Sequence, residues 1–172
     1  MNWQEVAQLP REKLLVLLED TLRNLVRIDG YWFLGMESRC GQEPAVRVDE
    51  EVWGRFGKVE ARQIRKFHNL GDGLTDLVAA LRLIPSWTFF GDYSVEQTSP
   101  RQAVLKVNLC QSQKERVRMG LGIFPCRGVE ENYFGSFARE INPQVQVQCL
   151  SCPPDNYRED LWCSWQFSLE GK

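Results

Sequence analysis

Apolar residues recur at helical spacing through the first half of the chain and alternate with polar ones through much of the second. After Pro10, the residues Leu14, Leu15, Leu17, Leu18, Leu22, Leu25 and Val26 share a helical stripe, with Glu19, Asp20 and Arg23 on the wet side. This predicts a long first helix whose leucines are core. Ile28-Asp29-Gly30 interrupts the stripe, and Asp29 reads as the N-cap of a second helix. That helix, Tyr31-Trp32-Phe33-Leu34-Gly35-Met36-Glu37, is apolar nearly all round, as expected of a segment buried on most sides or docked on a partner. Arg39-Cys40-Gly41 reads as a helix end and Asp49 as the next cap. Val52, Trp53, Phe56, Val59, Ile64 and Phe67 then form a stripe to about His68, with Arg55, Lys58, Arg62 and Arg65 on a solvated face. A short helix from Leu74 to Ile84 stops at Pro85.

From residue 86 the period changes. Tyr93–Thr98 and Ala103–Leu109 read as a hairpin about the turn Thr98-Ser99-Pro100-Arg101. A polar helix over Gln111–Met119, a loop to Cys126 and a helix over Gly128–Glu140 follow. Two further strands flank the Pro153-Pro154 loop. The expectation is one domain over 1–172, with a helical half (1–85) and a sheet-containing half (86–172). Its class is α+β: N-terminal helices packed on a C-terminal antiparallel sheet in β-β-α-β-β order.

Composition narrows the function classes. The 172 residues are 43% hydrophobic and 26% charged, normal for a globular chain, and the net charge of −2 argues against a nucleic-acid partner. No apolar run approaches the ~20 residues that span a bilayer, so no membrane partner is expected. The start Met1-Asn2-Trp3-Gln4-Glu5 lacks the pattern of a secretory signal. A cytoplasmic, reducing location is therefore expected, with the six cysteines as thiols or metal ligands.

Cys149 and Cys152 form a C-x-x-C pair before Pro153-Pro154, and Cys163 lies eleven positions after Cys152. Such a pair is a half-site for zinc or an iron–sulfur cluster, which Cys110 and Cys126 can help complete. Strand parity offers a plainer reading. Cys149 shares a face with Val145 and Val147, and Cys163 with Trp165 and Phe167, where ordinary core thiols belong. Redox or nucleophilic work is the third reading, and Cys126 is its best candidate: it precedes a helix N-terminus and adjoins Arg127, both of which favour thiolate. Glu37 falls eight positions after Asp29, close to the same helical face, so both border the aromatic helix containing Trp32. No nucleophile elbow, zinc-protease motif, phosphate loop or dinucleotide fingerprint is present.

Asp29-Gly30-Tyr31-Trp32-Phe33, Glu51-Val52-Trp53, Glu60-Ala61-Arg62, Cys110 with Arg118 and Gly120, Phe124-Pro125-Cys126, Cys149-x-x-Cys152-Pro153-Pro154-Asp155 and Trp162-Cys163-x-Trp165 form a set spanning residues 25–169. It resembles an uncharacterised family of small bacterial and archaeal cytosolic proteins. Residues 104–169 also resemble aminothiazoline-carboxylate hydrolase-like and 4-vinyl-reductase-type small-molecule-binding domains. Those resemblances imply a ligand pocket between helices and an antiparallel sheet, with cysteines beside it. The leading expectation is a domain that binds a small molecule or metal, with Asp29 and Trp32 contacting the bound group and Cys110, Cys126, Cys149, Cys152 and Cys163 as metal ligands. The first alternative is a hydrolase of a small sulfur- or nitrogen-containing substrate, with Cys126 as nucleophile and Glu37 or Glu60 as acid/base. The second is a structural subunit docking through its aromatic helix, with a homodimer as one such assembly.

Overall fold

The structure, a computed structural model, describes residues 2–169 apart from the Phe89 side chain. A short helix α1 (Trp3–Ala7) precedes three helices, α2 (Arg11–Cys40), α3 (Gln42–His68) and α4 (Leu74–Arg82). A 3-10 turn (Ser86–Phe89) leads into the hairpin β1 (Gly91–Ser99) and β2 (Gln102–Cys110). Then come α5 (Gln111–Arg118), α6 (Arg127–Ile141), β3 (Val145–Ser151) and β4 (Cys163–Leu169). The α+β class is as expected. Two helices rather than one separate the strand pairs, and the antiparallel sheet runs β1-β2-β4-β3 in space.

Two helix boundaries differ from those in the sequence pattern. The chain does not break at Ile28-Asp29-Gly30; α2 continues for 30 residues, so Asp29 is an interior residue and not a cap. A single glycine costs a helix only about 1 kcal/mol, which packing around Phe33 outweighs. Likewise α3 begins directly after Gly41, whose φ of 84° makes the corner, and Asp49 lies two turns inside it. Both displaced aspartates thereby become side chains of helix faces.

The leucine run of α2 is not core: no residue of α2 is fully buried, and Leu15, Leu18 and Leu25 are 55%, 53% and 41% exposed. Periodicity reports an apolar face, not what covers it. The core lies further along the chain. Leu105 and Val107 of β2, with Trp165 and Phe167 of β4, pack against Phe134, Phe137 and Ile141 of α6 and Leu77 and Leu81 of α4. On top of that layer α3 crosses α6 in the most extensive helix contact of the fold. The approach is close because α3 presents Gly54, Gly57 and Ala61 there. A Cβ on Gly57 would sit 2.6 Å from the Tyr133 carbonyl oxygen and 2.7 Å from Ser136 Oγ. The basic stripe of α3 is solvated, as expected, with Arg62 and Lys58 reaching Glu140.

Candidate functional site

Where the middle of α2, the first half of α3, the end of β2 and the start of α6 meet, they leave a cavity of about 80 Å³ open to water-sized molecules. Helix α2 contributes Asp29, and α3 contributes Asp49 and Trp53. Trp87 and Phe90 enter from the turn before β1, and Val107 and Cys110 from β2. The loop into α6 supplies Phe124 and Cys126, α6 supplies Val129 and Glu130, and the β3–β4 connection supplies Pro153, Trp162 and Cys163. The walls are mainly aromatic and aliphatic, and the polar groups are carboxyls, thiols, Ser112 and Gln113.

Gln113 fixes the Cys126 corner. Its side chain accepts from the Phe124 amide at 2.9 Å and donates to the Phe124 carbonyl at 2.8 Å, clipping the loop to α5. The same amide nitrogen donates to Cys126 Sγ at 3.4 Å. Cys126 sits immediately before α6, buried, with its sulfur 3.6 Å from Cys152 Sγ. The Cys152 thiol donates to it, which is the main reason Cys126 is drawn below the ordinary thiol range; Gln113 adds to this and burial opposes it. Cys152, hydrogen-bonded to Cys126 and Cys163, is pushed far up and stays a thiol. Burial lifts Cys110 to about 12.

Three carboxyls from three helices face the cavity. Burial raises Asp29 to about 6, against the Trp53 indole N–H that donates to it. Asp49 rises to about 7, first from burial and then from the Asp29 charge, again with Trp53 as its donor. Glu130 is half-buried at the cavity wall and is pushed well above the carboxylate range by burial, then by the nearby thiols and Asp49.

The expected site residues divide. Asp29, Cys110, Cys126 and Cys163 do converge on one cavity, and Cys152 contacts Cys126 behind it. Trp32 does not join them: it is 70% exposed and outside the cavity lining. Glu37 lies outside the cavity lining and is held by Arg116 through two 2.8 Å bonds, which keep its carboxyl below the usual range. Glu60 is also outside it, buried and receiving hydrogen bonds from Tyr133 Oη at 2.6 Å and Ser86 Oγ at 3.0 Å. Cys149 is half-buried, away from the lining, and its thiol is raised by burial; Cys40 is exposed. As for zinc or an iron–sulfur cluster, no three His, Cys, Asp or Glu side chains among the described residues are grouped so as to hold a metal ion. The thiol contacts are accounted for as hydrogen bonds.

Asp49, Glu130, Gln113 and Trp162 were not among the site residues expected from sequence. Glu130 lies four residues after Cys126, one helical turn along the same face, and that spacing was the available signal.

Fold and site together define an α+β domain with a cysteine- and carboxyl-lined cavity between its helices and its sheet. The chain belongs to a family of unknown function, DUF6125, which it matches over residues 7–169. That match names neither the hydrolase-like nor the reductase-type domains resembled by the C-terminal third. No curated protein matches the chain. It is similar to a solved structure titled as a trafficking protein particle complex subunit 3 from Naegleria fowleri covalently bound to palmitic acid. Identity is 12% over 90% of this chain and 94% of that one, at a TM-score of 0.47, a level from which nothing is carried over. No helix among the described residues is long and apolar enough to cross a membrane.

Proposed function

We propose that the protein is a small-molecule-binding domain whose ligand occupies the cavity beside Cys126. The observation that carries this is convergence: chain segments from residue 29 to residue 163 place carboxyls, thiols and aromatic rings around one space. Pockets of this composition, apolar with a few converging polar groups of shifted pKa, are where ligands bind. The hydrolase reading is less well supported. Cys126 has a thiol and an amide as neighbours rather than a base, and Glu37 and Glu60 are engaged elsewhere. The test is a thermal-shift and tryptophan-fluorescence screen of small neutral, acidic and basic compounds on the wild type and on Val129→Phe, which fills the cavity. Saturable binding to the wild type, abolished in a variant with unchanged circular dichroism, supports the reading. No binding by any class overturns it.

A second reading, association through α2, has its own observation. Leu15, Leu18, Leu22 and Leu25 follow the alternating three- and four-residue spacing of a coiled-coil seam, and all but Leu22 are at least 41% exposed. Trp32, 70% exposed, extends the same side of the helix as apolar surface that this chain leaves uncovered. The occupant proposed is a second copy of the chain. A seam of leucines is complementary to its own copy, so the same face serves both partners. Sedimentation should give a dimer that Leu18→Glu with Leu25→Glu converts to a folded monomer; a wild-type monomer at ~100 µM refutes it.

A further inference from the structure

The carboxyls of the cavity differ from the ion-paired carboxyls of the fold, and from Glu60, whose two oxygens take hydrogen bonds from Tyr133 and Ser86. Glu37 is paired with Arg116, and Glu140 with Arg62 and Lys58. Asp29, Asp49 and Glu130 have no such partner: the lining contains no Lys, Arg or His, and no ion pair reaches any of the three among the described residues. Trp53 alone hydrogen-bonds to the two aspartates, and no side-chain donor reaches Glu130. With no counter-charge beside them, the partial burial of these groups resists their ionisation, and a cation between them would favour it. Two elements are thus present together: half-buried carboxyls lacking a cation, and aromatic side chains of the kind that attract one.

We propose that the ligand is a small organic cation, an alkylammonium, held between the carboxyls of Asp29, Asp49 and Glu130 and the rings lining the cavity. This rests on the reading of the cavity as a ligand site and adds the ligand's charge. Trp53, Trp87, Phe90, Phe124 and Trp162 line the cavity; a cation over an aromatic face gains about 0.5–2 kcal/mol, the larger value when water is excluded. An anion would meet three carboxyls and no cationic side chain in the lining. A bare metal ion finds no grouped donors, while an alkylammonium fills the space between carboxyls that do not close on one point. The limited volume sets the size at a few heavy atoms.

Binding has a definite pH dependence. A cation favours the ionised carboxyls, so its affinity rises as Asp29 and Asp49 lose their protons, through about pH 6 to 7. The other titratable groups facing them are Glu130, Cys110, Cys126 and Cys163, with Glu50 beside Asp49. All are acids, so none reverses the sign.

The experiment is calorimetric titration of the full chain at constant ionic strength with n-propylammonium and tetramethylammonium chlorides, against 1-propanol and sodium propionate. At least one ammonium ion should bind, at least tenfold more tightly at pH 8 than at pH 5.5, and at least tenfold more weakly in Asp49→Asn and Glu130→Gln. Propanol and propionate should not saturate. Binding of propanol or propionate as tight as that of the ammonium ions overturns the assignment of charge and leaves the ligand cavity standing. So does ammonium binding that ignores pH and both substitutions. Absence of ammonium binding at pH 8 overturns the assignment too, and whether Val129→Phe still loses other ligands then decides the fate of the cavity itself.

Discussion

Asp49→Asn should stabilise the protein, by an amount set by pH. In the unfolded chain the Asp49 carboxyl ionises near its ordinary 3.8, whereas in the fold burial and the adjacent Asp29 hold its proton until about 7. At pH 3.5 both states are protonated and the group contributes nothing to the balance. As pH rises the unfolded chain gives up the proton first, so the folded state binds more protons and stability falls, levelling off above about 7. Each unit of difference is worth 1.36 kcal/mol, so the raised value corresponds to about 4 kcal/mol. Partial exposure to the cavity and coupling to Asp29 reduce this to about 2–3 kcal/mol. Asparagine fills the same volume, keeps an acceptor for the Trp53 N–H and never ionises. Urea unfolding followed by circular dichroism at each pH unit from 4 to 8 measures the difference directly. Glu37 and Glu140, both held below the usual carboxylate range, change stability in the opposite direction with pH but are common to both proteins and cancel. A variant no more stable than wild type at pH 8, or one whose advantage does not grow with pH, would refute the placement of Asp49 in a dry, cation-free setting.

Gly57→Ala puts a methyl group within 2.7 Å of Tyr133 and Ser136 atoms, one of them backbone; the forced separation of α3 from α6 should cost about 1–3 kcal/mol in urea unfolding. Arg116→Met removes both bonds to Glu37 from a guanidinium with 8% of its side chain exposed, so a loss of about 2–4 kcal/mol is expected, largely recovered when Glu37→Leu is added. In timed alkylation of the native protein with iodoacetamide at pH 7.5, read by mass spectrometry, exposed Cys40 should react first. Cys126 should follow ahead of Cys110 and Cys152, because thiolate character decides between buried cysteines.

The elements of the second half were legible because strand alternation there coincides with true burial: Leu105, Val107, Trp165 and Phe167 are inward by parity and inward in the fold. The first half was read correctly as helical and misread as to surroundings. The leucines of α2 form an apolar face that this chain does not cover, and single-chain periodicity cannot tell that from core. Asp29 and Asp49 looked like caps because short acidic residues near glycine usually are; their real position depends on helices running through, which only tertiary contacts decide. The thiols were found because cysteine is rare enough to stand out. Asp49 and Glu130 were overlooked as cavity groups because surface helices carry many carboxylates, and only the packing of α2, α3 and α6 sets these two apart.

The projecting start of α2 also has a consequence for backbone order. Its first four or five turns are secured mainly by their own ladder of amide bonds, and an isolated helix of about 15 residues is barely stable in water. In a solitary chain those amides should therefore exchange with deuterium within seconds, fraying inward from Pro10 to the point where Phe33 meets Phe124. Slow exchange over Leu14–Leu25 would mean that something has closed over the leucines, so the protection of this arm reports assembly without the partner having to be seen.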